Sequence, residues 1–122
     1  MIYINGIKQP TINYSYYLNE TDNFVDLIWN NSINNCGWMF YECNDITEID
    51  LSNFNTSLVE YMNYMFYNCY SLSSLNLSNF NTSLVIFMDY MFYNCSNLEY
   101  INLINFTENS LTDFNNSFNT NI

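Results

Sequence analysis

The side chains with chemistry to offer in this chain are four thiols, many asparagines and a set of tyrosines, and three of the thiols are evenly spaced. Cys43, Cys69 and Cys95 lie 26 residues apart, while Cys36 falls in the phase of Met62 and Met88. Thiols in a column about 5 Å apart are close enough to bridge, but three cannot pair completely. Residue type therefore points to small apolar side chains packed in a core. Zinc calls for Cys-x-x-Cys pairs or histidines, and the 122 residues contain neither. Without His there is no default general base, and a Ser or Cys nucleophile would need a neighbouring activator. Glu48 and Asp50 stand close together, yet nothing around them resembles a calcium-binding loop, so a solvated face is expected. No catalytic, metal or cofactor site is expected.

The asparagines say more. Nine N-x-[ST] sequons occur, at Asn13, Asn19, Asn30, Asn55, Asn76, Asn81, Asn94, Asn105 and Asn115. All except Asn94, which adjoins Cys95, are candidate N-glycan acceptors, because such acceptors need exposed loops. The competing reading is that Asn and Thr serve turns and hydrogen bonds between neighbouring segments. The tyrosines offer a second kind of site. Tyr41, Tyr67 and Tyr93 are spaced by 26, with Trp38, Tyr64 and Tyr90 nearby at the same interval. An exposed aromatic column of this sort fits a sugar ring or a protein partner, although partial burial in the core is the plainer alternative.

The elements that hold these residues follow from one repeat. Met39-Phe40-Tyr41-Glu42-Cys43 returns at 65–69 and 91–95, and Leu51-Ser52-Asn53-Phe54-Asn55-Thr56-Ser57-Leu58-Val59 returns at 77–85. Within a unit the apolar period changes. Leu72, Leu75 and Leu77 include a stretch of alternation that reads as a short strand. Val85, Met88 and Met91 are spaced by three, which predicts a short helical return. A single unit cannot bury its apolar side, so units must stack and place each apolar position over its copy. The expected core columns include Ile49/Leu75/Ile101, Leu51/Leu77/Leu103, Phe54/Phe80/Phe106 and Phe40/Phe66/Phe92/Phe118. Phe80 faces inward in this scheme and Asn79 outward, so losing Asn79 is expected to cost far less unless it bridges two units.

Residues 33–122 form this repeat region, closing on a decayed unit marked by Leu111, Phe114 and Phe118. Residues 1–32 fit the period poorly and read as an N-terminal cap. Within them residues 2–9 predict a small hairpin about Asn5-Gly6. Phe24 to Trp29 predict the strand of a degenerate first coil.

The pattern L-x-x-L-x-L-S-x-F-x-T-S-x-V-x-x-M-x-x-M-F-x-x-C, matched from Ile46 to Cys69 and from Leu72 to Cys95, resembles the BspA-like leucine-rich-repeat surface proteins. The resemblance implies a curved β-solenoid at a cell surface or outside the cell, used for adhesion or structure, with no catalytic residues. The expected fold is thus mainly β: a leucine-rich-repeat-type right-handed solenoid of 26-residue coils, with short parallel strands and short helical return turns.

Charge narrows the partners. The formal net charge is −11, with one Lys and no Arg, so a phosphate backbone is repelled and nucleic acid is not an expected partner. No apolar run approaches the ~20 residues of a membrane helix. The N-terminus lacks the basic and apolar regions of a secretory signal. The expected function is an extracellular or cell-surface structural or adhesive protein, N-glycosylated and stacking head to tail into a filament. The alternative is recognition of a protein or glycan ligand on the strand face.

Overall fold

The computed structural model describes residues 1–10, 23–29, 31–107 and 116–118. It is mainly β. The chain divides into two compact units, Met1–Ser32 and Ile33–Ile122.

In the first unit β1 (Ile2–Ile4), β2 (Ile7–Lys8) and β3 (Val25–Leu27) form an antiparallel sheet in the order β2-β1-β3. Asn5 and Gly6 connect β1 to β2 with φ of 50° and 77°. Two positive φ values in a two-residue connection are what a type I′ hairpin turn requires, and Asn-Gly tolerates them best. The Asn5 side-chain oxygen then accepts the Phe24 amide at 2.8 Å, which ties β3 to the turn. The expectation that Phe24–Trp29 supplies the strand of a first coil is therefore corrected. Val25–Leu27 pairs antiparallel with β1, Ile2 opposite Leu27 and Ile4 opposite Val25. That register gathers apolar side chains on one face of the small sheet.

In the second unit, segments 26 residues apart lie side by side. β4 (Ser74–Asn76) pairs in parallel with β5 (Tyr100–Asn102), Leu75 opposite Ile101. Parallel bridges join Asn35 to Tyr61 and Tyr61 to Phe87. We call these successive segments layers. The middle layer is the best buried, having a neighbour on each side: Met62, Met65, Phe66, Cys69, Leu72 and Leu77 are fully enclosed. Phenylalanine rings stack from layer to layer, Phe40–Phe66 at 5.4 Å, Phe66–Phe92 at 5.7 Å and Phe92–Phe118 at 5.3 Å between centroids. Leu111 and Phe114, read from the sequence as parts of the final unit, lie outside the described residues.

The connecting arm is not helical, which corrects the expected helical return. Apolar residues three apart suit a succession of tight turns as well as a helix, and hydrogen bonding decides for turns. Amides of Cys36, Trp38, Phe40 and Glu42 donate to carbonyls of Tyr61, Asn63, Met65 and Tyr67 in the next layer. Those of Met39, Tyr41 and Cys43 donate within the layer, each to the carbonyl three residues back. A helix would spend every amide internally and leave nothing to join the layers. Alternation requires the peptide plane to flip, and it does so through positive φ at Trp38, Glu42, Tyr64, Asn68, Tyr90 and Asn94. Each of these is the third residue of its turn, as in a type II turn.

Candidate functional site

The flipped turns carry aromatic residues outward. Asn68 and Asn94 suit the left-handed region, since Asn visits it at low cost. Trp38, Tyr64 and Tyr90 do not, yet they hold φ of 66°, 58° and 55°. A bulky side chain at such φ is strained, and strain of this kind gathers at functional places in proteins. Part of the cost is offset because these residues stack, Trp38 on Tyr64 at 4.3 Å and Tyr64 on Tyr90 at 5.1 Å.

Three residues on in each layer is the column expected from the sequence. Tyr41–Tyr67 and Tyr67–Tyr93 stack with centroids 5.1 and 5.2 Å apart and planes within 11° of parallel. All three rings are half-buried. The two columns meet at an angle in every layer: Trp38–Tyr41 at 4.8 Å, Tyr64–Tyr67 at 5.4 Å and Tyr90–Tyr93 at 5.7 Å. Six rings thus make one aromatic face, with the Tyr61–Phe87 stack at 5.6 Å on the same arms. Loss of hydration around the rings, together with the neighbouring Glu42 carboxylate, holds the Tyr41 hydroxyl above its ordinary pKa. Tyr67 is raised by the same loss of water and by Tyr93.

The cysteines sit inside. All four are free thiols, Cys36, Cys69 and Cys95 buried and Cys43 half-buried. Cys69 Sγ donates to the Phe40 carbonyl and Cys95 Sγ to that of Phe66, both at 3.1 Å. Burial pushes Cys69 up to about 12, and Cys36 and Cys95 up to about 11. These groups join layers and are poor nucleophiles at neutral pH.

The sequon asparagines divide. Asn55, Asn76 and Asn81 are exposed, and each side-chain oxygen accepts the amide two residues on, from Ser57, Ser78 and Ser83 at 3.0, 3.1 and 3.0 Å. This is turn chemistry, and it turns the carboxamide oxygen inward to its own backbone. Asn105 is exposed, but its Nδ2 donates to the Ser78 carbonyl. Asn94 Nδ2 is shared between Asn68 Oδ1 and the Tyr70 hydroxyl. Asn13, Asn19, Asn30 and Asn115 lie outside the described residues. Asp50 Oδ1 accepts the Ser52 amide at 2.9 Å, in the position that Asn76 and Asn102 occupy in later layers. That bond lowers its pKa.

Two sets of residues join the layers, in line with the reading of Asn and Thr as bridges between neighbouring segments. Thr56 and Thr82 are almost wholly buried, and their hydroxyls accept the amides of Asn81 and Thr107 one layer on, at 2.8 and 2.9 Å. Asn79 reaches back a layer to three carbonyls. Their repetition at a fixed phase was the available signal. Among the described residues no helix is long and apolar enough to cross a membrane.

No curated protein and no solved structure matches the chain. A family model described as a Mycoplasma protein of unknown function, DUF285, matches residues 13–122, and by that match the chain belongs to the DUF285 family.

Proposed function

We propose that this chain is a surface module of adhesive or structural type, a right-handed leucine-rich-type solenoid of the BspA-like kind that grips its partner through the aromatic face of the turn arms. The observation that carries the reading is the six-ring face itself, built on strained backbone that a purely structural turn would fill with Asn or Gly. Interfaces concentrate their binding energy in Trp and Tyr, which bury large area at low entropy cost. The 26-residue parallel register supports the solenoid. Exposed Asn55, Asn76 and Asn81 support glycans at the corners, should the chain pass through a glycosylating compartment. Alternate turn-arm amides, those of Cys36, Trp38, Phe40 and Glu42 and again those of Met62, Tyr64, Phe66 and Asn68, donate to the following layer, which supports head-to-tail rather than head-to-head stacking of copies. The strand side, with exposed Ser74, Asn76 and Tyr100, gives less support to recognition there.

Beads coated with the full chain test the reading on cell-coated and protein-coated surfaces. Tyr64→Asn with Tyr67→Ser is expected to abolish retention of the beads, and Ser74→Lys with Tyr100→Ser to leave it intact. The reverse pattern, or failure of antibodies to label intact cells of the source organism, would sink it.

A further inference from the structure

The layers are close copies, so their departures from one another carry information, and on the aromatic arms three departures fall together in the first described layer. Trp38 stands where later layers have Tyr64 and Tyr90, Glu42 where they have Asn68 and Asn94, and Gly37 where they have Asn63 and Asp89. In the middle of the columns each ring has both faces against its neighbours: Tyr64 lies between Trp38 and Tyr90, and Tyr67 between Tyr41 and Tyr93. Trp38 has one face on Tyr64, and it remains 52% exposed. Its plane and that of Tyr41 meet at 45° with centroids 4.8 Å apart, which makes an aromatic corner. Glu42, next in the chain to Tyr41, is exposed and gives the neighbourhood of that corner a negative charge.

Two tilted electron-rich rings and a carboxylate are what an organic cation recognises, and Trp is the strongest of the ring partners. The chain has almost no cation of its own to fill the place, with one Lys against twelve acidic residues. Resting on the adhesive reading above, we infer that the Trp38–Tyr41–Glu42 corner binds an Arg or Lys side chain from a basic segment of a partner protein. Charge selects this occupant over a choline headgroup. A basic segment carries several positive charges into the field of a −11 chain, whereas a zwitterionic headgroup carries none net. A second copy offers a single Lys and no Arg, so it is a poor occupant of this corner.

The test uses the full chain with Trp29→Phe, so that Trp38 is the only indole, and hexa-arginine as the probe. Titration is expected to change Trp38 fluorescence. In calorimetry Trp38→Asn, chosen because Asn accepts the positive φ, is expected to weaken binding at least tenfold, and Glu42→Gln to weaken it severalfold and flatten its salt dependence. Circular dichroism of each variant shows that the layers persist. Equal binding by Trp38→Asn and the parent would reduce the effect to general charge attraction and overturn the corner. A preference for tetramethylammonium over ethylguanidinium at equal concentration would also overturn it, in favour of a headgroup site. The failures are separable: if bead retention needs Tyr64 and Tyr67 while Trp38→Asn leaves hexa-arginine binding unchanged, the corner is lost and the adhesive face stands.

Discussion

The side-chain nitrogen of Asn79 lies 2.9 Å from the Leu51 carbonyl in the preceding layer, and within 3.2 Å of those of Ser52 and Phe54. One exposed carboxamide therefore closes a whole corner of backbone that parallel pairing does not reach. Asn79→Ala is expected to destabilise by about 1–3 kcal/mol, because part-buried carbonyls lose their donor. Phe80→Ala, which empties a position 1% exposed, is expected to cost ~3–5 kcal/mol. Urea titrations of the two variants check both. An Asn79→Ala loss near zero would mean water replaces the carboxamide without cost.

Thr56 makes a similar link from inside. Its hydroxyl accepts the Asn81 amide at 2.8 Å and lies 3.2 Å from the Asn81 carbonyl. Thr56→Val keeps shape and removes the hydroxyl, so it is expected to cost about 1–3 kcal/mol, whereas Thr56→Ser should cost less. A Val variant as stable as the parent would show the bond to be dispensable.

The flipped turns can be tested at Asn68, whose φ is 60°. Asn68→Ala forces a Cβ-bearing residue without a helpful side chain into the left-handed region, at about 1–2 kcal/mol. Asn68→Gly removes that strain and is expected to come closer to the parent. Thermal melts that rank Ala at or above Gly would contradict the turn conformation.

Stability should fall in alkali. A thiol raised from near 9 to about 12, as Cys69 is, keeps its proton in the folded chain while the unfolded chain ionises. Above pH 9 the unfolded state thus binds fewer protons, and stability drops as pH climbs toward 11–12; below pH 9 this contribution is constant. Denaturant midpoints at pH 8 and 10.5 measure the drop. It is expected to be smaller in Cys69→Ala, which separates the thiol from the tyrosines that ionise in the same range. An identical drop in both proteins would remove Cys69 as its cause and leave it to the other thiols and the tyrosines.

Apolar spacing made much of the core legible. Phe80, Leu75 and Leu77 fall inside as their phase requires, because hydrophobic burial leaves a periodic mark. The turn arm was not legible: Val85, Met88 and Met91 have the same spacing whether amides bond within the layer or across it. Only partners one layer away decide that, and they are remote in sequence. Phe24 to Trp29 failed for a related reason, since a short apolar run states that it is extended but not which strand it joins. The tyrosine column could be read from its interval, while the open face of Trp38 depends on a stacking order that spacing alone does not give.

The constant offset between donor and acceptor, seen as Cys36 to Tyr61 and again as Met62 to Phe87, bears on how such a gene can change. Gain or loss of 26 codons, or a multiple of them, returns every amide to an equivalent carbonyl and every apolar side chain to the interior. Any other increment turns core residues to solvent from that point onward. The increment that leaves the core undisturbed is therefore a whole layer.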